Sequence, residues 1–489
     1  MKFLIALALI VLAGLAVAVI KLFVRWEREG KEHLVPLVLL GMLIVEATIY
    51  ADQNTLPRGI FHPGSGSAQL RLPEIYITFA LIARLIARGR PQRISLPAGL
   101  WLAFAAWMVV GVVEGRLYHN SLSQDLYEAK DILYIVGAYA LAAGVPVRRY
   151  FDSGDLKKLG WLAVACASIL DLMTIGRISI STNLPLLPLQ GFGAVGSETA
   201  ALTLAVGTMC FVPRLLTGPV KLRHVLALVP LLVSVVLADQ RAVLVNLAVL
   251  VSVIFVVLLI GHRHSVVRQL HIRAGQVLLA LLAVVALGIA VLVVPAALDR
   301  QPVHVPLVST FQSLFHSEGK AESAQDRLNL AAEAEKLIPQ HAIIGWGLGV
   351  EFPYYEAGTR TIVTTAYAHD IALDLLLRLG AIGLVLFVAA FGASIVGGIQ
   401  VWRRHPEPMI AGFALALVAV MAGLIATGFL EPFLDEYRLA TLFGVSLGML
   451  RACVTSMDRP RGPAPGRAGK PVSERERSDT TWTGDMVWT

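Results

Sequence analysis

The sequence predicts an all-α, polytopic membrane protein with about 13 transmembrane helices and one large extracytoplasmic loop between the tenth and eleventh. Apolar residues make up 56% of the 489 residues, and the mean hydropathy is +0.70. Uncharged apolar runs of about 20 residues recur along the chain, a length that crosses a hydrocarbon layer of ~30 Å. Because backbone polar groups inside a membrane must be satisfied within the chain, we expect helices in the spans.

The predicted spans divide the chain into four regions. Residues 1–297 hold the first ten spans, 298–368 the outer loop with short helices, 369–452 the last three spans, and 453–489 a disordered cytoplasmic tail. The predicted spans are 3–20, 34–50, 72–88, 95–113, 131–147, 159–175, 193–213, 223–238, 241–260, 276–297, 369–400, 409–428 and 437–452. The segment 72–88, which contains Arg84, is the least apolar of them.

Lysine and arginine predict the orientation of these spans, because cytoplasmic loops carry an excess of both residues. Alternate short loops are rich and poor in them. The rich loops contain Lys21, Arg25, Arg28, Lys31, Arg84, Arg88, Arg90, Arg93, Arg148, Arg149, Lys157, Lys158, Arg214, Lys221, Arg223, Arg263, Arg268, Arg273, Arg403 and Arg404. We therefore expect the N-terminus outside and the C-terminus in the cytoplasm. The net charge of +7 then reflects topology and anionic lipid rather than nucleic acid.

Two common kinds of site are not indicated. The three cysteines, Cys166, Cys210 and Cys453, form no CxxC pair, so neither a zinc site nor a disulfide framework is predicted. The glycine-rich segment 345–349, GWGLG, lacks the preceding strand of a dinucleotide-binding motif and the lysine of a P-loop. We interpret it as a turn that closes a helix of the outer loop.

That loop helix is predicted over 323–338, with Ser323 as its cap and Pro339 as its stop. Helical periodicity gives it an apolar stripe formed by Leu330, Ala331, Ala334, Leu337 and Ile338. Arg327 falls within this stripe. A guanidinium on the packing side requires an anionic partner, which is either a carboxylate of the loop or a ligand. The sequence leaves both alternatives open.

Arg241 and His369 lie where predicted spans begin. Arg241 follows a tight turn between two spans, so it is an interfacial anchor, an ion-pair partner of Asp239 or a phosphate clamp. His369 is followed by Asp370, and then by Asp374 and Arg378 at the i,i+4 spacing of an ion pair within a helix. His369 is the best general-base candidate because the unperturbed pKa of histidine is near neutrality.

These residues carry a resemblance to a known family. Residues 327–349, RLNLAAEAEKLIPQHAIIGWGLG, resemble the loop motif of the O-antigen ligase and O-antigen polymerase superfamily. The segment after His369 is similar to the one that follows in that superfamily, although Asp370 stands where Asn is usual and Arg378 where Glu is common. The turn before Arg241 resembles a Ser-Arg turn between spans, with Gln240 in place of Ser.

The resemblance implies a glycosyltransferase of the bacterial inner membrane, either a polymerase or a ligase of surface polysaccharide. Its donor would be a polyprenyl-diphosphate-linked glycan, and its acceptor a hydroxyl of a glycan, lipid or protein. No nucleotide sugar, metal or other cofactor is expected. By position, Arg241 and Arg327 would bind the donor diphosphate, and His369 would activate the acceptor hydroxyl. A transporter or flippase of lipid-linked glycan is the alternative, and a non-catalytic scaffold protein is the third possibility.

Overall fold

The structure is a computed structural model, and it describes residues 2–49, 71–88, 96–181, 197–218, 221–238, 241–260, 321–357, 359–430 and 436–457. The described chain is mainly helical. Its first part contains α1 (Lys2–Arg28), α2 (Leu34–Ile49), α3 (Leu72–Arg88), α4 (Leu96–Leu117), α5 (Leu122–Ile132), α6 (Ala138–Ala143), α7 (Val147–Asp152), α8 (Asp155–Ser181), α9 (Ser197–Thr217), α10 (Leu222–Leu226), α11 (Leu228–Leu237) and α12 (Arg241–Ile260). A π-helical turn, Leu133–Gly137, joins α5 to α6 without a break.

The second part begins with the described portion of the predicted outer loop. It contains α13 (Ala321–Leu337), a 3-10 turn (Ile338–His341), β1 (Phe352–Glu356), β2 (Thr361–Thr365), α14 (Ile371–Arg404), α15 (Pro408–Gly428) and α16 (Tyr437–Met457). The last helix continues beyond residue 452, where we predicted that the tail begins, and it buries Cys453. The rest of the predicted tail, 458–489, lies outside the described residues.

Helices occupy every predicted span position except 276–297, which lies outside the described residues. Within the described part, five helices are long and apolar enough to cross a membrane: Leu96–Leu117, Glu198–Thr217, Ile371–Arg404, Pro408–Gly428 and Tyr437–Met457. Shorter apolar helices are Leu34–Ile49, Leu222–Val235 and Ala242–Val257. The protein is therefore a multi-pass helical membrane protein, whereas the count of 13 spans stays a prediction.

Charged side chains at the ends of the helices pair with one another. Arg84 and Arg88 of α3 both contact Glu27, with Nε–Oε distances of 3.4 and 2.7 Å. This pairing compensates the charge that made 72–88 the least apolar predicted span. At the other end of the bundle, Arg438 contacts Glu198 at 2.7 Å. Both sets join groups that the charge pattern predicts on one side of the membrane, although the absolute orientation stays a prediction.

The helices differ in how far their neighbours enclose them. Most residues of α9, α15 and α16 are buried, whereas less than a third of the apolar stretches of α4 and α14, which pack against each other, is buried. Glycines allow α16 to approach α6 and the π-helical turn, because a Cβ on Gly444 would lie 2.4 Å from the carbonyl oxygen of Ile135. Such contacts between small residues are a common basis of helix packing in membranes. Among the five long apolar helices of the described part, α4 and α14 are therefore the least enclosed.

Candidate active site

The predicted outer loop contains a β-hairpin that was not predicted from the sequence. Strands β1 and β2 pair antiparallel, with Phe352 opposite Thr365 and Glu356 opposite Thr361. Their aromatic and β-branched residues are typical of strands, and this signal could have identified them. Burial raises the pKa of the Tyr354 hydroxyl, and the nearby carboxylates of Glu356 and Asp326 raise it further.

Helix α13 packs its apolar stripe onto this hairpin and onto the start of α14. Leu330 and Ala334 are buried in one cluster with Phe352, Ala368 and Leu377. On the flank of the helix, the side-chain amide of Asn329 donates a hydrogen bond to the carbonyl of Tyr355 at 2.9 Å. The predicted stripe is confirmed at these positions, and it attaches the loop helix to the segment that precedes His369.

Two details of the predicted loop helix are wrong. The helix already includes Ala321, so Ser323 lies inside it and does not cap its start. Arg327 is exposed rather than packed inward, and the buried apolar contact with the hairpin begins at Leu330. Within the described part of the chain, no carboxylate forms an ion pair with Arg327. Its guanidinium therefore faces the surroundings of the loop.

The glycine-rich segment 345–349 is the turn that we predicted, and it also attaches the loop to α4 and α14. The N–H groups of Trp346 and Gly347 donate to the carbonyls of Leu377 and Arg378 at 2.8 and 3.0 Å. The N–H of Leu348 donates to Gly111 of α4 at 2.9 Å. Gly347 has φ +79°, and a Cβ there would lie 2.0 Å from the backbone nitrogen of Gly115. Only glycine fits this position.

A break in α14 supplies the acceptors for this turn. Gly380 has φ 65° and ψ −170°, which is not helical. The kink allows the carbonyls of Leu377 and Arg378 to accept from the glycine-rich turn, while the N–H of Ala381 donates to Ala342 at 2.8 Å. The first turns of α14 and the end of the loop helix therefore form one hydrogen-bonded unit.

His369 lies immediately before α14, half-buried, in the left-handed region with φ 55°. This conformation is uncommon for residues other than glycine, and such residues are enriched at functional sites. The next residue, Asp370, is the N-cap of α14: its Oδ1 accepts from the N–H groups of Ala372 and Leu373 at 2.8 and 3.1 Å. The carboxylate that replaces the usual Asn thus satisfies the helix start in the way an N-cap residue does.

The first turns of α14 contribute two residues to a buried cluster of charged side chains. Arg378 contacts Asp374 at 2.9 Å, which confirms the predicted ion pair, and it also contacts Glu128 of α5 at 3.4 Å. A cavity of about 20 Å³ beside it is lined in part by Glu128, Asp131, Asp374 and Arg378, which is room for about one water molecule. Glu128 and Asp131 were not predicted from the sequence, because they are far from Arg378 along the chain.

Arg241 is the first residue of α12, which packs against α9 and α15. Its side chain, like all of Asp239 and Gln240, lies outside what the structure describes. The convergence of Arg241 and Arg327 on one ligand therefore stays a prediction. No group of three or more His, Cys, Asp or Glu side chains among the described residues is placed to hold a metal ion. Independence from metal likewise stays a prediction.

The comparisons with known proteins concern the region that carries these residues. Residues 226–388 match a family model described as O-antigen ligase. No curated protein matches the chain significantly. The matched interval begins before Arg241 and ends within α14, so it contains Arg241, the loop helix with Arg327, and His369. The match confirms the resemblance of this chain to the O-antigen ligase and O-antigen polymerase superfamily.

Proposed function

We propose that the protein transfers a glycan from a polyprenyl diphosphate carrier to an acceptor hydroxyl on the outer side of the bacterial inner membrane. It would act as either a polymerase or a ligase of surface polysaccharide. The observation that carries this proposal is the family match, because 226–388 spans Arg241, Arg327 and His369. The folding of the loop helix onto the segment before His369 supports it further.

The reaction exchanges one bond at the anomeric carbon of the donor sugar. The acceptor oxygen forms a bond to this carbon, the bond from the carbon to the diphosphate oxygen breaks, and the imidazole of His369 takes the hydroxyl proton. The leaving group is polyprenyl diphosphate, which departs with its negative charge. Because the donor is already activated, positioning and anion stabilisation can supply much of the rate enhancement.

Arg241 and Arg327 would bind the diphosphate. A guanidinium presents a planar fork of donors that suits two phosphate oxygens at once, and it keeps its charge at any physiological pH. Arg327 is exposed and has no carboxylate partner in the described part of the chain, so its guanidinium is accessible to a ligand. Arg241 at the first position of α12 would approach from the membrane body.

The test compares surface glycan in a deletion strain that carries either the wild-type gene or a variant. We expect His369→Ala to lower transfer on the order of 10²–10⁴-fold, as the loss of a general base does, with normal protein level in the membrane. His405→Ala is the matched control, because His405 lies between α14 and α15, at the other end of α14 from His369. Normal glycan with His369→Ala would contradict the assignment of His369.

The same strain also distinguishes the classes of function. Loss of long chains with single repeat units retained indicates a polymerase, and long chains left on the lipid carrier indicate a ligase. In both cases the lipid-linked glycan accumulates on the outer face of the membrane. Accumulation on the inner face of the membrane would instead indicate a flippase and overturn the proposal.

A further inference from the structure

We infer that Arg378, together with Asp374 and Glu128, positions His369 and the glycine-rich turn relative to each other. These three side chains, called here the positioning cluster, are positioning residues and not catalytic ones. The inference rests on the proposed function only for its effect on glycan transfer. Its structural part, that the cluster fixes two backbone segments, stands on the contacts alone.

The positioning cluster holds the segment before His369 at two points. Nη2 of Arg378 donates to the carbonyl of Ala366 at 2.6 Å, and the N–H of Ala368 donates to Oδ1 of Asp374 at 3.4 Å. The guanidinium also lies 5.7 Å from the ring centroid of Tyr367. His369, the proposed base, therefore directly follows a segment, 366–368, that is held by the Asp374–Arg378 ion pair of α14.

Glu128 links this segment to the loop. Its Oε2 contacts Nε of Arg378 at 3.4 Å and accepts a hydrogen bond from the N–H of Gly349 at 2.8 Å. Its Oε1 accepts from the amide of Gln124 at 3.0 Å. Gly349 ends the turn that follows the helix bearing Arg327, so one carboxylate connects the loop side of the site to the His369 side.

Burial makes this arrangement sensitive to the loss of any member. The exposed fractions of the Arg378 and Glu128 side chains are 6% and 1%, so water replaces a missing partner poorly. Removing one charge of a buried set leaves the others uncompensated and is far more damaging than loss of a surface pair. The left-handed backbone of His369 would then lose the contacts that hold the segment before it.

The experiment measures amide hydrogen exchange in the purified full-length protein in lipid nanodiscs, without any substrate. In Arg378→Gln we expect exchange to accelerate by about tenfold or more in peptides that cover 349–350 and 366–370, with little change elsewhere. Glu128→Gln, which retains an acceptor for the N–H of Gly349, should accelerate exchange in the 366–370 peptide more than in the 349–350 peptide. It serves as a second variant if Arg378→Gln does not fold.

Arg438→Gln is the matched control. Arg438 is similarly buried, with an exposed fraction of 11%, and it pairs with Glu198 and Glu46 in a different set of helices. It should leave exchange at 349–350 and 366–370 unchanged. Unchanged exchange in these peptides of Arg378→Gln, or faster exchange spread over all helices, would overturn the inference.

Transfer is then measured in membranes of the deletion strain, which retain the natural donor and acceptor. We expect Arg378→Gln to lower the maximal rate while the apparent KM for the donor changes little, since the positioning cluster is buried and is not proposed to bind the diphosphate. Faster local exchange with a normal maximal rate would overturn the positioning role. Absence of transfer by the wild-type protein would instead contradict the proposed function and leave the exchange result standing.

Discussion

The tight contact between the glycine-rich turn and α4 allows a quantitative prediction for Gly347→Ala. An L-residue at φ +79° costs ~1–2 kcal/mol relative to glycine. The new Cβ would also lie 2.0 Å from the nitrogen and 2.5 Å from the Cα of Gly115, so the turn must move away from α4. That movement breaks the hydrogen bonds of Gly347 to Arg378 and of Leu348 to Gly111, each with a net contribution of ~1 kcal/mol. We therefore expect Gly347→Ala to lower the free energy of unfolding by ~3–4 kcal/mol.

Gly154→Ala is the control for backbone strain alone. Gly154 has φ +71°, but a Cβ there would meet nothing within 4 Å, so its cost is limited to ~1–2 kcal/mol. The assay is denaturant unfolding of both variants in the same detergent, followed by tryptophan fluorescence. The difference of ~2 kcal/mol between them corresponds to a ratio of ~30-fold in the equilibrium constant. Equal stability of the two variants would refute the close approach of Gly347 to α4.

Three further predictions concern the helix start, the arginines and the topology. Asp370→Asn should keep the N-cap of α14, whereas Asp370→Ala should lower the free energy of unfolding by ~1 kcal/mol and reduce glycan transfer. Unfolding and surface glycan measure the two effects, and equal effects of the two substitutions would exclude a capping role of Asp370. Arg327→Lys and Arg241→Lys should impair transfer nearly as much as the alanine variants, because Lys lacks the fork; full activity of the Lys variants would mean that charge alone suffices. In intact cells an impermeant thiol reagent should label Gln325→Cys and not Ser478→Cys, and the reverse pattern would invert the topology.

The sequence could predict the features that depend on local pattern. Apolar runs located the helices, periodicity located the face of α13 that carries Leu330 and Ala334, and the i,i+4 spacing identified the Asp374–Arg378 pair. These inferences succeed because each depends on residues within a few turns of one another.

Other features depend on contacts between distant segments. Arg327 is exposed although helical periodicity placed it within the apolar stripe, because periodicity alone does not specify which turns of α13 the hairpin covers. Glu128 joins the cluster because its side chain reaches Arg378 of α14, although 250 positions separate the two residues. The hairpin itself had a local signal, but the loop was interpreted only in terms of helices.

The π-helical turn at Leu133–Gly137 has a consequence for the acidic residues above it. A turn of this kind contains one residue more than a regular helical turn, and one residue of an α-helix corresponds to a rotation of about 100°. The extra residue therefore rotates the side chains of α5 about the helix axis relative to those of α6, which packs against α16. Deleting a single residue between 133 and 137 would restore a regular helix and turn Glu128 and Asp131 away from Arg378, although every side chain of the cluster would still be present.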